Sequence, residues 1–217
     1  MTLCWLILTH GESEVFSLVE FLRKHLLSSD RILILNDPTT PEYFAKLQEL
    51  DGCKVVEHKL DGDYSEHRNY ALQFVHADFL FALDADERPA GELIQNIRKL
   101  IDCEPDLVWI PRVNIVEGAM PIHAMQFGWT VTDGMWNWPD PQSRILRMGK
   151  GIKWVGKLHE RLKPSLQGCK IMRLPENPKC AIIHRKTIAR QISQNEIYNQ
   201  KFSPEENSGL STMEELK

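Results

Sequence analysis

Between Phe79 and Pro89 the chain reads FLFALDADERP: an unbroken apolar run that stops at two aspartates one residue apart, followed by Glu-Arg-Pro. Near-continuous apolar runs of this kind are what strands covered on both faces look like, as in a parallel sheet. In an open α/β sheet, ligands bind beyond the carboxyl ends of the strands. Spacing of i and i+2 in extended backbone puts the Asp84 and Asp86 side chains on one side. Two neighbouring carboxylates repel, and a hard divalent cation such as Mg²⁺ or Mn²⁺ removes that cost. Mg²⁺ often takes one or two carboxylates and completes its shell with water and phosphate oxygens. The physical reading is a metal–diphosphate site. The alternative is a solvated strand end whose acids cap the next helix, and a D-x-D by itself does not separate the two.

Outward from that stretch, strands and helices alternate. TLCWLIL, RILIL, CKVVEHKL and DFLFAL read as four strands, and DLVWIPRVNIV as a fifth. Between them lie helical patterns: SEVFSLVEFLRKHLL, with Val15, Leu18, Val19 and Leu22 at helical spacing and Ser13 as N-cap, then PEYFAKLQEL, a helix within DGDYSEHRNYALQFVHA, and PAGELIQNIRKLI. Such alternation predicts βαβ units around a mostly parallel sheet. From about Gly118 to Gln142 the alternation fails in a Gly-, Pro-, Met- and Trp-rich stretch that reads as a loop over a pocket. SRILRMGKGIKWVGKLHERL returns to β-like alternation around a Gly-Lys-Gly turn, and CAIIHRKTIARQISQNEIYNQKF reads as a last strand and helix. The expected organisation is one domain over residues 1–202, in two halves that meet at about residue 88. A polar, acidic tail over 203–217 is expected to be disordered.

The bulk numbers narrow the function. A 217-residue chain of net charge -4 carries no basic bias toward nucleic acid. Its 5 cysteines form no C-x-x-C pair and read as reduced core thiols. The N-terminal apolar run is too short for a signal peptide or a membrane span. A cytoplasmic protein without a transmembrane segment is expected, and peripheral membrane contact is compatible with the sequence.

Several separate segments, in order over roughly residues 2 to 190, resemble the metal-dependent family 2 glycosyltransferases of the GT-A fold. Thr9-His10-Gly11 ends the first strand where the family has a turn under the nucleotide. Asn36-Asp37-Pro38-Thr39-Thr40 is similar to the acidic turn after the second strand, although its first acidic position is Asn36 here. Arg68-Asn69 matches the Arg-Asn at the head of the helix before the D-x-D strand, and LDADE matches the metal motif. RILRMGKGIKWVGKLHERL resembles a bacterial subgroup in which an Arg-rich strand, a Gly turn and a Trp precede His-Glu. Many members of that subgroup decorate lipopolysaccharide or other surface glycans.

The resemblance implies an α/β GT-A fold, a Rossmann-like three-layer sandwich with a mostly parallel central sheet. It implies inverting sugar transfer from a nucleotide-diphosphate sugar, a UDP-sugar favoured, to a glycan or glycolipid hydroxyl. In that reading Asp86 holds Mn²⁺ or Mg²⁺, with His184 completing the metal shell. Asp84 contacts ribose or metal-bound water, while Thr9, Asp37 and Arg68 meet the nucleotide. Inverting transfer needs a base that takes the acceptor proton; Glu160 is the first candidate, with Asp140 and Asp133 as rivals. His159, Arg144 and Trp136 are candidates for phosphate or acceptor contact. Each has a bland alternative: Arg144, with Arg147, Lys150 and Lys153, as solvated charge on an exposed hairpin, Trp136 as a packing residue, His184 as a hydrogen-bonded strand end. Glu87 and Arg88 read as a pair at a helix start, with no catalytic role. A nucleotidyltransferase shares the fold but has a Gly-rich basic signature where this chain has THGESE. A non-catalytic nucleotide-sugar binding module would keep Asp84 and Asp86 and tolerate loss of Glu160.

Overall fold

The computed structural model describes residues 1–164 and 168–208. Strands β1 (Leu3–Thr9), β2 (Arg31–Asn36), β3 (Cys53–Glu57) and β4 (Phe79–Asp84) alternate with helices α1 (Glu14–Arg23), α2 (Pro41–Gln48) and α3 (Tyr64–Ala71). β5 (Glu87–Pro89) and α4 (Gly91–Asp102) follow, then β6 (Leu107–Ile110) and β7 (Arg112–Glu117). Next come α5 (Pro121–Phe127), β8 (Val131–Thr132), β9 (Met135–Trp136), β10 (Gln142–Arg147), β11 (Lys153–Val155), β12 (Arg161–Lys163) and β13 (Ile171–Arg173). The described chain ends with β14 (Ile182–Thr187), α6 (Ile188–Lys201) and α7 (Pro204–Asn207).

A seven-stranded sheet in the order β13-β6-β10-β4-β1-β2-β3 forms the centre. β4, β1, β2 and β3 are parallel, and β10 runs antiparallel between β4 and β6. Alternate strand residues feed two cores. Leu3, Trp5, Ile7, Phe79 and Phe81 pack under α1 and α4 through Val15, Leu18, Leu22, Leu93, Ile97 and Ile101. Cys4, Leu6, Leu80 and Ala82 pack on the opposite face against Ala71 of α3, Trp154 and Leu162. Helices on both faces explain why β1, β2 and β4 are apolar without alternation. β3 is the exception: as the edge strand it is only half covered.

Four expectations change. The fifth strand is two strands in two sheets. Pro111 has no N–H to give to a ladder, and after it Arg112–Glu117 joins a second sheet, β5-β14-β7-β9-β8. The stretch from Gly118 to Gln142 contains α5 and the β8–β9 hairpin, elements too short for periodicity to reveal. Residues 203–208 hold α7, whose first turn carries a reciprocal Ser203–Glu206 capping box in place of the expected disorder; residues 209–217 lie outside the described residues. Ser13 is itself in helical conformation and its side chain caps nothing. No helix among the described residues is long and apolar enough to cross a membrane.

Candidate active site

The parallel strands β1, β2 and β4 all end at one rim, and their C-terminal residues line a cleft of about 1300 Å³. Second-sheet residues Arg112, Asn114, Trp136, His184 and Lys186 form another wall, and α6 a third. Thr9, Asp37, Arg68, Asp84, Asp86, Arg144, Trp136, His159, Glu160 and His184 all line this cleft. Asp133 does not: it is exposed at the tip of the β8–β9 hairpin, with φ 50°.

The acids at the end of β4 lie within a lattice of arginines. Arg68 donates through Nη2 to Asp84 Oδ1 at 2.8 Å, and through Nε to Glu160 Oε1. Arg144 donates through Nη2 to Asp84 Oδ2 at 3.0 Å and to Glu87 Oε1 at 2.7 Å. Arg112 reaches the same Glu87 oxygen at 3.0 Å and grips Asp140 Oδ2 through Nε at 2.8 Å and Nη2 at 2.7 Å. The other Glu87 oxygen accepts the Asp84 backbone N–H at 3.1 Å. Burial opposes ionisation of Asp84, but the Arg68, Arg144 and Arg112 guanidiniums outweigh it and hold the carboxyl far below the usual range. For Arg68 and Arg112 burial works against the charge, and the surrounding carboxylates reverse it, so both are held more firmly protonated.

Glu87, fully buried, is therefore a structural centre of the site and not a helix-start residue. Arg88 does not pair with it; Arg88 Nη2 donates to Ser17 Oγ at 2.5 Å and stacks on Phe21. Arg144 is likewise no exposed hairpin charge. β10 runs antiparallel to β4, so Arg144 lies beside the acids. Arg147 sits three residues further on, against Phe79 at the far end of β4. Lys150 pairs with Asp106 away from the cleft.

Asp86 stands apart from the arginine lattice. Its Oδ2 lies 3.3 Å from His184 Nε2 and 3.1 Å from Arg190 Nη1. Burial raises its pKa, but the His184 hydrogen bond and charge bring the net shift below the usual range. The His184 tautomer follows from its other side. Asn114 donates its amide N–H groups to Trp136 O at 3.1 Å and Asp140 Oδ2 at 2.8 Å, so Asn114 Oδ1 is the acceptor for His184 Nδ1 at 2.9 Å. With Nδ1–H given to Asn114, His184 turns Nε2 toward the Asp86 carboxylate, to which it is hydrogen-bonded in this structure. A carboxylate and an imidazole nitrogen placed face to face could hold a divalent cation between them in place of that hydrogen bond, with the outer hydrogen bond that orients a ligating histidine. No cluster of three or more His, Cys, Asp or Glu suited to a metal occurs among the described residues. The donor set is thus one carboxylate and one imidazole, which leaves positions for water and phosphate oxygens.

Glu160 shares Arg68 with Asp84 and lies mostly covered in the cleft, with Oε1 occupied. Asp140 is more saturated: Arg112 and Asn114 occupy Oδ2, and Gln142 Nε2 donates to Oδ1 at 2.8 Å. Burial raises the Asp140 pKa, but Arg112 outweighs that and holds the carboxyl below its usual range. Thr9 Oγ1 is already bonded, to Glu12 of its own turn at 2.9 Å and to the Tyr43 hydroxyl of α2 at 2.5 Å. Gly11 follows at φ 89°, where a Cβ would press on Thr39 at 3.3 Å. Asp37 accepts the Leu60 N–H at 2.9 Å and meets His10 Nδ1 at 2.8 Å. His159 Nε2 lies 2.7 Å from the Asn207 carbonyl, and Trp136 packs edge-on against Trp129.

Four participants had no local signal in the sequence: Arg112 and Asn114 beyond Pro111, and Lys186 and Arg190 after His184. Burial pushes the Lys186 ammonium down to about 8, with Arg112 adding to it, and Lys186 makes no ion pair among the described residues. Arg68 Nη1 is buried with no hydrogen-bond partner among the described residues, an N–H in the cleft wall left for a ligand.

The sequence profile of glycosyl transferase family 2 matches residues 5–156. No curated protein matches the chain. Among solved structures, S. aureus TarS 1-349 in complex with UDP-GlcNAc is similar at a TM-score of 0.56 and 17% identity over 86% of this chain and 59% of that one. S. aureus TarS is similar at a TM-score of 0.58 and 15% identity, over 100% of this chain and 43% of that one. The complex of TarS 1-349 with UDP gives a TM-score of 0.57 at 17% identity, over 92% of this chain and 66% of that one. At these identities the likeness is one of fold, and the chain spans about half the length of these structures.

Proposed function

This chain belongs to glycosyl transferase family 2, and from that premise we propose that it moves a sugar from a nucleotide-diphosphate sugar to an acceptor hydroxyl with inversion. One observation carries the reading: Asp84, Asp86, Arg68 and Glu160 converge in one cleft at the carboxyl end of β4. A UDP-sugar donor is favoured because the fold neighbours include TarS complexes with UDP-GlcNAc and UDP. The acceptor is taken to be a glycan or glycolipid of the cell surface, the site of synthesis the cytoplasmic side of a membrane with at most peripheral contact. Residues 1–202 act as one catalytic unit, nucleotide half to about 88 and acceptor half beyond. A hexose is the transferred group.

In this reading Asp86 and His184 hold Mn²⁺ or Mg²⁺, imidazole ligation suiting Mn²⁺ the better of the two. The cation when bound neutralises charge on the departing diphosphate. Lys186 and Arg190 offer further positive charge to the same group. Asp84 is fixed by two arginines and receives ribose or water with the lone pairs that remain. Asp37, Thr9 and Arg68 frame the base and ribose, with Arg68 Nη1 free to donate. Glu160 takes the acceptor proton on the oxygen that Arg68 does not occupy, while Arg68 holds that carboxylate in orientation. His159, Arg144 and Trp136 border the space where phosphate and acceptor enter.

The test is release of nucleoside diphosphate from a panel of nucleotide sugars, with Mn²⁺ or with EDTA, for wild type, Asp86→Ala and Glu160→Gln. Turnover is expected only with metal and only in wild type. Full activity in Asp86→Ala or in EDTA would sink the metal assignment. Donor binding without turnover on any acceptor would favour a binding module.

A further inference from the structure

Helix α6 is built the wrong way round for a helix that closes a domain. Such a helix normally turns an apolar stripe inward. In α6 the buried residue is Gln191, 8% exposed, while Ile192 and Ile197 are 39% and 44% exposed. The residues at core-facing spacing are Gln191, Gln194, Asn195, Tyr198 and Asn199, that is i, i+3, i+4, i+7 and i+8. All five line the cleft. An amide stripe at the positions a core would occupy implies that the missing partner is polar.

The stripe is pre-ordered. Gln191 Nε2 donates to Asn195 Oδ1 at 2.7 Å, and Gln194 Nε2 donates to Tyr198 OH at 2.7 Å. Gln191 Oε1 is buried and has no partner among the described residues. A buried acceptor without a donor is destabilising, and a ligand hydroxyl would relieve it. Hydroxyl groups both donate and accept, so a row of amides matches a sugar better than it matches a charged or apolar ligand.

The ends of the stripe say which sugar. At its start Arg190 reaches Asp86 at 3.1 Å and Glu12 at 2.8 Å, the diphosphate end of the proposed site. Near its finish the Tyr198 ring lies 6.1 Å from Tyr64 and 6.5 Å from His159, the neighbour of Glu160. Eight residues of helix span about 12 Å. The group that lies between a leaving diphosphate and the base of an in-line displacement is the transferred sugar. Resting on the transferase reading, we propose that Gln191, Gln194 and Asn195 of α6 form the subsite that binds the hydroxyls of the donor's transferred sugar.

The test compares nucleoside diphosphate with nucleotide sugar by calorimetry in Mn²⁺, using UDP against UDP-GlcNAc, UDP-glucose and UDP-galactose. The variants are Gln191→Leu, the solvent-side double variant Gln194→Ala/Asn195→Ala, and outward-facing Ile192→Ser as control, each checked by thermal melting. Both stripe variants should weaken the best-bound UDP-sugar about five- to tenfold while UDP stays within about twofold. The control should change neither. Equal loss for UDP and UDP-sugar would place the stripe on the nucleotide and overturn the assignment. So would unchanged UDP-sugar binding, or loss confined to methyl glycosides added to the UDP complex, which would place the acceptor there instead. Wild type that binds no UDP or UDP-sugar would overturn the UDP-sugar transferase reading itself, a result distinct from all of these.

Discussion

Replacing Glu87 by Gln removes one charge at a fully buried position and little else in shape. One carboxylate oxygen accepts two guanidinium N–H bonds, from Arg144 and Arg112, and the other accepts the Asp84 N–H. A glutamine cannot serve all three. If its oxygen faces the arginines, its NH₂ confronts the Asp84 N–H; if it flips, the NH₂ confronts two guanidiniums. The first arrangement costs about 1 kcal/mol for each bond that loses charge assistance, plus about 1–3 kcal/mol for a buried N–H without an acceptor. The total is about 4 kcal/mol, within the range for breaking a buried ion pair. For a chain of this length that corresponds to a fall in Tm of roughly 8–16 °C. Urea and thermal unfolding of Glu87→Gln measure it directly. A loss under about 1 kcal/mol would refute the claim that Glu87 organises the arginine lattice.

Four other outcomes follow from the same geometry. Arg68→Lys cannot bridge Asp84 and Glu160 with a planar fork, so kcat should fall by about 10²-fold in a diphosphate-release assay while the fold is kept. His184→Ala should raise the Mn²⁺ dissociation constant about tenfold or more by electron spin resonance titration, and Asn114→Ala should do so less severely. His67 is buried beside Asp37 and His58, and burial lowers its pKa from 6.5 to about 4. Its folded-state pKa lies below the unfolded one, so the stabilisation is complete above about pH 6.5 and is lost as pH falls toward 4; near pH 5 the loss is about 2 kcal/mol, and His67→Phe should flatten that slope in urea titrations. The lowered carboxyls of Asp84, Asp86 and Asp140 obey the same sign at lower pH, so stability should fall further below about pH 4, less steeply in Asp140→Asn.

The parallel half of the fold was legible because each of its signals is local. Leu3–Thr9, Arg31–Asn36 and Phe79–Asp84 are apolar runs covered on both faces, and Val15, Leu18 and Leu22 repeat at helical spacing. Residues whose meaning comes from a distant partner were not legible. Arg144 reads as surface charge until β10 is seen to slot between β4 and β6. Glu87 reads as a helix-start acid until Arg112, 25 residues on, is folded against it. Pro111 splits one apolar run between two sheets, a choice that depends on strand pairing and not on composition. Gln191 carried its signal in plain view, since an amide at a core-facing position is informative, but the signal appears only once the cleft beneath it is known.

The bond between Arg190 and Glu12 closes a loop of 178 residues. A chain emerging from the ribosome has β1, β4 and both aspartates long before it has α6. The central sheet can form as soon as β10 is out, since its later neighbour β13 only extends one edge. The arginine that meets Asp86 is made well after β10 and adds a long-range contact to the cleft. Until then Asp86 lacks that cation, and the mouth of the cleft carries less positive charge. Assembly of the cleft therefore follows that of the sheet, an order set by the position of one helix along the chain.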